Sequence, residues 1–281
     1  MWLFLIVITL QPALARWLLA RARRQALQRI SSRRDATVIT LIHRQETVSF
    51  LGIPLMRHID IDDAESVLQA IRETPSGRPI EIILHTPGGL VLASRQIASA
   101  LADHDGRITA VVPHYAMSGG TMIALAADEI LVDAHAALGP IDPQINQYPA
   151  ASLVAVAERP GPHTDETLIL ADVSQKALHQ VRVFAEELLQ KHMEPAQARE
   201  VGRILSSGLW THDHPLMPRD LEGLRLPVKV GVPDEERQLL RLYPQPRGRA
   251  GVEYIPGRPA SPGMPPGREV PRPRRARVPN K

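Results

Sequence analysis

The sequence predicts an α/β fold built on a parallel sheet. Three short apolar runs, rich in the β-branched residues typical of buried strands, occupy residues 80–84, 108–112 and 130–132. Helix-like segments separate them, and residues 90–101 place their apolar side chains on one helical face. Strands that alternate with helices in this way form right-handed βαβ units, so we expect parallel strands joined by crossover helices.

The same patterns predict elements on either side of this core. We expect a strand at residues 36–42, a hairpin around Gly52, and a helix that begins at the acidic residues Asp62 and Asp63, because acids favour a helix N-terminus. Residues 145–163 contain three prolines and are predicted to be loop-rich. The remaining predicted elements are helices at 165–192, 195–206, 216–224 and 234–242 and a strand at 227–232.

Composition and charge narrow the class of protein. The chain has 281 residues, 44% of them hydrophobic, and no cysteine, which excludes disulfides and cysteine-based metal or redox sites. The net charge of +3 is uneven: residues 1–34 and 244–281 carry seven net positive charges each, which leaves −11 for residues 35–243. An acidic body repels phosphates, so we expect no nucleic-acid partner. Basic ends suit an anionic membrane surface.

The N-terminal segment has the composition of a membrane anchor. Residues 2–15 are predominantly apolar, and arginines follow this stretch but do not precede it. Twenty helical residues span about 30 Å, the thickness of the hydrocarbon layer. We therefore expect a single-pass transmembrane anchor at residues 1–20 and a basic juxtamembrane linker at residues 21–36, with the following domain on the cytoplasmic side. An amphipathic helix lying on the membrane and a cleaved signal peptide are the alternatives.

The C-terminal segment differs from the rest in composition. Residues 244–281 are rich in proline, glycine and arginine and contain few large apolar side chains. Such a segment cannot bury enough surface to offset the loss of chain entropy, so we predict a disordered tail. A single folded domain is expected at residues 37–243.

Two glycine-rich corners follow the first two predicted strands of the core. Residues 85–89 read His-Thr-Pro-Gly-Gly, and residues 115–120 read Tyr-Ala-Met-Ser-Gly-Gly. Each corner opens onto a helix-like run, so backbone N–H groups are exposed near one point. Ser118 lies in the second corner. A serine next to paired backbone amides is the arrangement of a nucleophile beside an oxyanion hole, although a helix-capping serine is the structural alternative.

These corners resemble those of the Clp-protease/crotonase fold, whose core consists of repeated ββα and βαβ units. Within that fold, the motif sequences are most similar to those of the signal-peptide-peptidase A-like serine proteases, and especially to those of the serine dehydrogenase proteinases. The resemblance extends over residues 37–243. Four segments carry it, and they occur in the same order as in the family. These segments are residues 85–89, 116–121, 128–130 and 138–144. The resemblance implies a serine endopeptidase that acts on polypeptides and assembles into a homo-oligomer.

The resemblance also implies a base for Ser118. In signal-peptide-peptidase A-like enzymes the base is a lysine downstream of the serine, and Lys176 is the first lysine after Ser118. Apolar neighbours at helical spacing could desolvate its ammonium group, as a lysine base requires. His179, one helical turn further on, could orient Lys176. His135 is the competing candidate, because Clp peptidases use a Ser-His-Asp triad, but its setting departs from their pattern.

For the oxyanion hole we nominate the backbone N–H groups of Gly88 and Gly119, with Gly89 in support. The expected mechanism is attack of Ser118 on a peptide carbonyl, with Lys176 taking the proton and returning it to the leaving amine. No cofactor and no metal are expected. The sequence His212-Asp213-His214 is too short a pattern to indicate a metal site and is more typical of a structural loop.

Two other functions remain open on the sequence alone. A crotonase-like enzyme acting on coenzyme A thioesters would also use paired backbone amides as its oxyanion hole. A membrane scaffold could retain the fold without any catalysis. Chemical labelling of Ser118 and affinity for coenzyme A distinguish these alternatives from a peptidase.

Overall fold

The computed structural model describes residues 2–43, 48–50, 53–55 and 57–243. The helices are α1 (Trp2–Arg34), α2 (Ile61–Glu73), α3 (Val91–Ala102), α4 (Gly119–Leu125), α5 (Ala150–Ala157), α6 (Asp165–Leu189), α7 (Pro195–Ser206), α8 (Pro218–Gly223) and α9 (Asp234–Arg241). The strands are β1 (Thr37–Ile42), β2 (Val48–Phe50), β3 (Ile53–Leu55), β4 (Ile80–His85), β5 (Ile108–Val112), β6 (Tyr115–Ala116), β7 (Glu129–Val132), β8 (Ala137–Leu138), β9 (Gln144–Ile145), β10 (Tyr148–Pro149) and β11 (Val228–Val230).

A parallel sheet of five strands forms the centre of the domain, in the order β1-β4-β5-β7-β11. The predicted α/β fold with a parallel sheet is thereby confirmed. β4 and β5 are direct neighbours, with Ile80 opposite Ile108. Because both strands run in the same direction, the corners that follow them emerge at the same edge of the sheet.

Helices cover both faces of this sheet. All six residues of β4 are buried, and its four apolar residues are divided between two apolar clusters. Ile82 and Leu84 join the larger cluster, to which α2, α3, α4, α6 and α7 contribute, whereas Ile83 joins a smaller one with residues of α1 and α9. A sheet covered on both faces needs strands without a polar side, which explains the continuous apolar runs of the sequence.

The C-terminal half of α1 packs against the sheet. Ile30 is fully buried in the smaller cluster, and Arg33 Nη2 lies 3.1 Å from Glu236 Oε1 on α9. Residues 21–34 are thus part of a packed helix rather than the basic linker that the charge pattern predicted. Of the arginines that suggested a linker, Arg33 and Arg34 contact acidic side chains, whereas Arg23 Nε donates to the carbonyl oxygen of Leu242.

The predicted transmembrane anchor at residues 1–20 is not supported. In the part of the chain that the structure describes, no helix combines the length and apolar composition needed to cross a membrane. The predicted helix is present, but it is the first part of α1, which continues without a break to Arg34. Gln11 and Arg16 interrupt the apolar stretch, and further arginines follow from Arg21 onwards.

Most of the other predicted elements are found close to their expected positions. β2 and β3 form the expected antiparallel hairpin. α2 begins with a capping box in which Asp60 and Asp63 each accept a hydrogen bond from the other's backbone N–H. Residues 145–163 are less irregular than predicted, because α5 begins directly after Pro149 and ends before the later prolines. The predicted disordered tail at residues 244–281 lies outside the described residues.

Two buried carboxyl groups meet beneath the end of α1. Glu81 on β4 is 3% exposed and Glu236 on α9 is fully buried. Arg34 Nε lies 3.2 Å from Glu81 Oε2 and 3.6 Å from Glu236 Oε1. Burial and the adjacent charge of Glu236 raise the pKa of Glu81 from its ordinary 4.5 to about 7, against the opposing effects of Arg34 and Arg33.

This raised pKa predicts a pH-dependent stability that Glu81→Gln should remove. The folded protein holds the Glu81 proton more tightly than the unfolded chain does. The resulting stabilisation is complete below about pH 4.5 and is lost as the pH rises through about 7, which amounts to about 3 kcal/mol of unfolding free energy. Urea unfolding at several pH values measures it. Glu65→Gln, an exposed change on α2, should keep the wild-type pH dependence. Parallel pH profiles for wild type and Glu81→Gln would contradict the prediction.

Candidate active site

Ser118 lies in a sharp turn between β6 and α4. Its backbone has φ 50° and ψ −115°, a left-handed conformation that costs a non-glycine residue about 1–3 kcal/mol. Its side chain makes no capping hydrogen bond to α4, which removes the structural explanation for a serine at this position. A strained serine whose hydroxyl is not used by its own helix is a candidate nucleophile.

The two glycine corners pack directly against each other, as the sequence predicted. Gly88 has φ +101°, and a Cβ atom on it would lie 2.7 Å from the Cβ of Ser118 and 2.8 Å from the carbonyl oxygen of Met117. Two backbone hydrogen bonds join the corners: Thr86 N–H donates to Tyr115 O at 3.2 Å, and Met117 N–H donates to Thr86 O at 3.0 Å. Only glycine at position 88 allows this approach.

The backbone amides of the corners differ in whether they are already used. Gly88 N–H donates to Thr86 Oγ1 at 3.2 Å. Within the described residues, no acceptor is recorded for Gly89 N–H or Gly119 N–H. The Gly89 nitrogen lies 3.5 Å from the position that a Cβ on Gly119 would take, so the two glycines are adjacent. Gly89 and Gly119 therefore have free donors beside Ser118, whereas Gly88 would have to exchange its bond to Thr86.

Ser118 opens into a cavity of about 310 Å³. Both corners contribute to its wall, together with the loop after β8 and the loop after α7. The lining residues are His58, Pro87, Gly89, Val91, Ser118, Gly119, Met122, Ile141, Asp142, Pro143, Gln144 and His212. This mixture of apolar walls, backbone amides and a few polar side chains is typical of a site that binds a ligand in one orientation.

An ionisable pair lies in the wall of this cavity. Asp142 is 1% exposed, and its Oδ1 lies 2.9 Å from Nδ1 of His212, whose side chain is 31% exposed. Gln144 Nε2 donates to the other carboxylate oxygen of Asp142 at 2.8 Å. The buried carboxylate is thus hydrogen-bonded through both oxygens, and the imidazole is held at the cavity wall.

The other site residues predicted from sequence lie elsewhere in the single chain. Lys176 on α6 does not line the cavity; its side chain is 66% exposed, and its Nζ lies 2.5 Å from Asp172 Oδ2. His179 contacts Arg182, with 3.3 Å between Nδ1 and Nη2. His135 is exposed in the turn after β7. The structure therefore brings Ser118, Gly88, Gly89 and Gly119 together, and the roles of Lys176, His179 and His135 stay predictions.

The sequence reasoning missed the pairing of Asp142 with His212. The sequence marks His212 only as part of a short His-x-His pattern, in which His214 instead stacks on Trp210 with 5.5 Å between ring centroids. Within the described residues, no group of three or more acidic or histidine side chains could hold a metal ion. The one signal in the sequence was the position of Asp142 inside the segment 138–144 that carried the family resemblance.

Comparison with known proteins now decides the family. A family model described as ClpP-like SDH-type serine proteinase matches residues 1–264. The chain belongs to this family. Two relatives in Methanocaldococcus jannaschii, the uncharacterised proteins MJ0137 and MJ1495, are 47% and 48% identical to this chain. The matches cover 91% and 90% of this chain and 90% and 88% of the two relatives.

The solved structures that are similar to this chain share less sequence identity with it. A point mutant of ClpP1 from Listeria monocytogenes is 14% identical, with a TM-score of 0.47, over 74% of this chain and 99% of that one. A point mutant of 1510-N, a membrane-bound stomatin-specific protease, is 17% identical, with a TM-score of 0.43, over 73% of this chain and 82% of that one.

The contact between the corners predicts that Gly88→Ala destabilises the protein beyond the effect of the positive φ at this position. The methyl group would overlap the Ser118 side chain and the Met117 carbonyl, at a cost of about 1–3 kcal/mol. Gly77→Ala is the matched control, because Gly77 has φ +76° and nothing within 4 Å of the new Cβ. Thermal or urea unfolding of both variants measures the difference, and equal losses would show that the corners are not in tight contact.

Proposed function

We propose that this chain is a serine peptidase that hydrolyses peptide bonds of polypeptide substrates, with Ser118 as its nucleophile. Membership of a serine proteinase family supports the reaction class. The observation that carries the proposal is the backbone of Ser118, which stays in a left-handed conformation at the cavity although its hydroxyl caps no helix. Backbone strain of this kind is retained at functional sites, and here it would present the Ser118 hydroxyl to a substrate.

The free amides beside Ser118 fit the charge that develops during acyl transfer. When Oγ attacks a peptide carbonyl, the carbonyl oxygen becomes an oxyanion, which backbone N–H donors stabilise by about 2.7–4 kcal/mol for one donor. We assign this role to Gly89 and Gly119, whose N–H groups have no recorded acceptor in the described chain. Gly88, nominated from the sequence, can contribute only if its N–H leaves Thr86.

A base at Lys176 would require more than one copy of the chain or a rearrangement of α6. In the single chain its ammonium group is exposed and paired with Asp172, whereas a lysine base must lose its charge in a desolvated setting. A Ser118–Lys176 dyad therefore remains a proposal that depends on assembly. The mass of the native protein, measured by light scattering, tests whether such an assembly exists.

Assembly into a homo-oligomer is favoured by apolar side chains that the single chain leaves exposed. They occur at the start of α3, which borders the cavity, and on the first half of α6, near Lys176. The side chains are Leu90, Val91, Leu92, Leu168, Ile169 and Val173, which are between 42% and 62% exposed. Exposed apolar groups in such numbers are more typical of an interface than of a free surface.

The location of the protein also stays a prediction. Attachment to a membrane with the catalytic domain in the cytoplasm is inferred from the N-terminal composition. A helix lying on an anionic surface keeps that attachment without a membrane span. Sedimentation of the full chain with anionic and neutral vesicles tests it: binding to neither would remove the membrane from the proposal.

The proposed function predicts that Ser118→Ala abolishes covalent labelling and peptide hydrolysis. A fluorophosphonate should add one adduct to wild type, detected in the intact mass, and cleavage of an unfolded protein substrate should fall at least about 1,000-fold in the variant. Ser152→Ala, an exposed change on α5, is the matched control and should behave as wild type.

The other outcomes identify the competing functions. Absence of an adduct on wild type, with no cleavage, would favour a non-catalytic scaffold. Retention of the wild-type protein by immobilised coenzyme A, with Ser118→Ala equally retained and no peptide cleavage, would favour a crotonase-like enzyme. Labelling that persists in Ser118→Ala would place the nucleophile elsewhere.

A further inference from the structure

We propose that His43 is a positioning residue for the first glycine corner, residues 85–89, and that it acts through the hydroxyl of Thr86 on the amide of Gly88. The proposal rests on the peptidase function above and deepens it, because it identifies what holds the backbone donors beside Ser118 in place. His43 follows β1, and Thr86 follows β4. His43 is 5% exposed and Thr86 is fully buried, and in the described chain neither lines the cavity.

A chain of three hydrogen bonds runs from α2 to Gly88. Asp63 Oδ2, in the first turn of α2, lies 3.0 Å from His43 Nε2. His43 Nδ1 lies 3.0 Å from Thr86 Oγ1, and the same oxygen accepts the Gly88 N–H at 3.2 Å. His43 also donates its backbone N–H to His85 O at 2.7 Å, which fixes the residue beside the strand that leads into the corner.

The carboxylate of Asp63 fixes the direction of every bond in this chain. A carboxylate only accepts hydrogen bonds, so His43 Nε2 carries a proton and donates to Asp63. In the neutral ring Nδ1 is then an acceptor, and the Thr86 hydroxyl donates to it. The lone pairs of the Thr86 oxygen remain available, and one of them receives the Gly88 N–H. The Thr86 hydroxyl therefore cannot turn away without breaking its bond to His43.

Gly88 is held by hydrogen bonds at both of its backbone polar groups. Its N–H donates to Thr86, and its carbonyl oxygen accepts Ile59 N–H at 2.8 Å. In a trans peptide unit the carbonyl and the following N–H point in opposite directions, so the Gly89 N–H points away from Ile59. The Gly89 nitrogen lies beside Gly119 and is one of the two amides that we assign to the oxyanion hole. The bonds at Gly88 thus set the direction of that donor.

A purely structural link between β1 and β4 does not account for the chain of hydrogen bonds. The two strands are already paired in register, from Thr37 opposite Ile80 to Ile42 opposite His85. Apolar side chains could reinforce that pairing at lower cost, because buried polar groups stabilise a fold only when all of them are satisfied. Here they are satisfied, and the chain ends on the Gly88 amide rather than on the sheet. Such a network is expected where a functional group must be held in one orientation.

The first test is Thr86→Val in the full chain. Valine keeps the branched shape, including the methyl group beside Gly120, but removes the acceptor of the Gly88 N–H. We expect kcat for cleavage of fluorescently labelled casein to fall about 10- to 1,000-fold with KM within about threefold of wild type, because an oxyanion donor acts in the transition state. Fluorophosphonate labelling of Ser118 should slow in parallel.

Variants of His43 separate positioning from packing. His43→Leu removes the acceptor of the Thr86 hydroxyl and should lower kcat as Thr86→Val does. Asparagine can place its amide oxygen near the position of Nδ1, so His43→Asn should have a kcat at least about fivefold above that of His43→Leu.

Asp60→Ala is the matched control for α2. It breaks the hydrogen bond from Asp63 N–H to Asp60 Oδ1 and leaves the contact between Asp63 and His43 in place. Loss of this helix cap should lower stability, whereas kcat should stay within about threefold of wild type.

Unfolding curves establish which variants are folded, and if His43→Leu is not, the shape-preserving Thr86→Val decides. A folded Thr86→Val with a kcat at or above the wild-type value would overturn the proposal, as would a change in KM alone. An equal loss of kcat in Asp60→Ala would also overturn it, because packing of α2 would then explain the effect. A wild type that forms no Ser118 adduct and cleaves no casein instead refutes the peptidase function, and this proposal with it.

Discussion

The close approach of Gly88 to Ser118 is the contact on which the geometry of the candidate active site depends. Neighbouring glycines are also in close contact with other parts of the chain. A Cβ on Gly89 would overlap the backbone of Ile59, and a Cβ on Gly120 would lie 2.6 Å from Thr86 Cγ2. The chain around these glycines is therefore packed too closely to admit a Cβ atom. This packing supports the strained turn at Ser118, since relaxing the turn would require the neighbouring corner to move as well.

The position of the two corners follows from local sequence and from general rules of sheet topology. β4 and β5 are apolar runs separated by one amphipathic helix, so a right-handed crossover makes them parallel neighbours and places their ends at one edge of the sheet. Residues 85–89 and 115–120 could thus be predicted to meet from the sequence alone. The details could not: Gly88 N–H donates to Thr86, a bond that no spacing in the sequence indicates.

The N-terminal helix shows where such reasoning fails. An apolar stretch followed by arginines is compatible with an anchor and with a helix packed on its own domain, because the pattern does not say what covers the apolar face. In the structure, Ile30 is covered by the sheet, and Arg33 and Arg34 meet Glu81 and Glu236. Part of the positive charge of the N-terminal end therefore neutralises buried acids of the domain, and a strongly basic segment need not indicate an external anionic partner.

The environments of Lys176 and His212 could not be predicted from residue type. Lys176 is attractive on sequence because lysines are rare in this chain, but rarity says nothing about where a side chain points, and its ammonium group faces solvent beside Asp172. Asp142 and His212 are 70 residues apart, and tertiary contacts such as the one between Leu138 and Leu216 bring their segments together. A base needs both a free lone pair and a fixed direction. In the described chain, Lys176 does not line the Ser118 cavity, whereas the imidazole of His212 lies at its wall in contact with the buried carboxylate of Asp142.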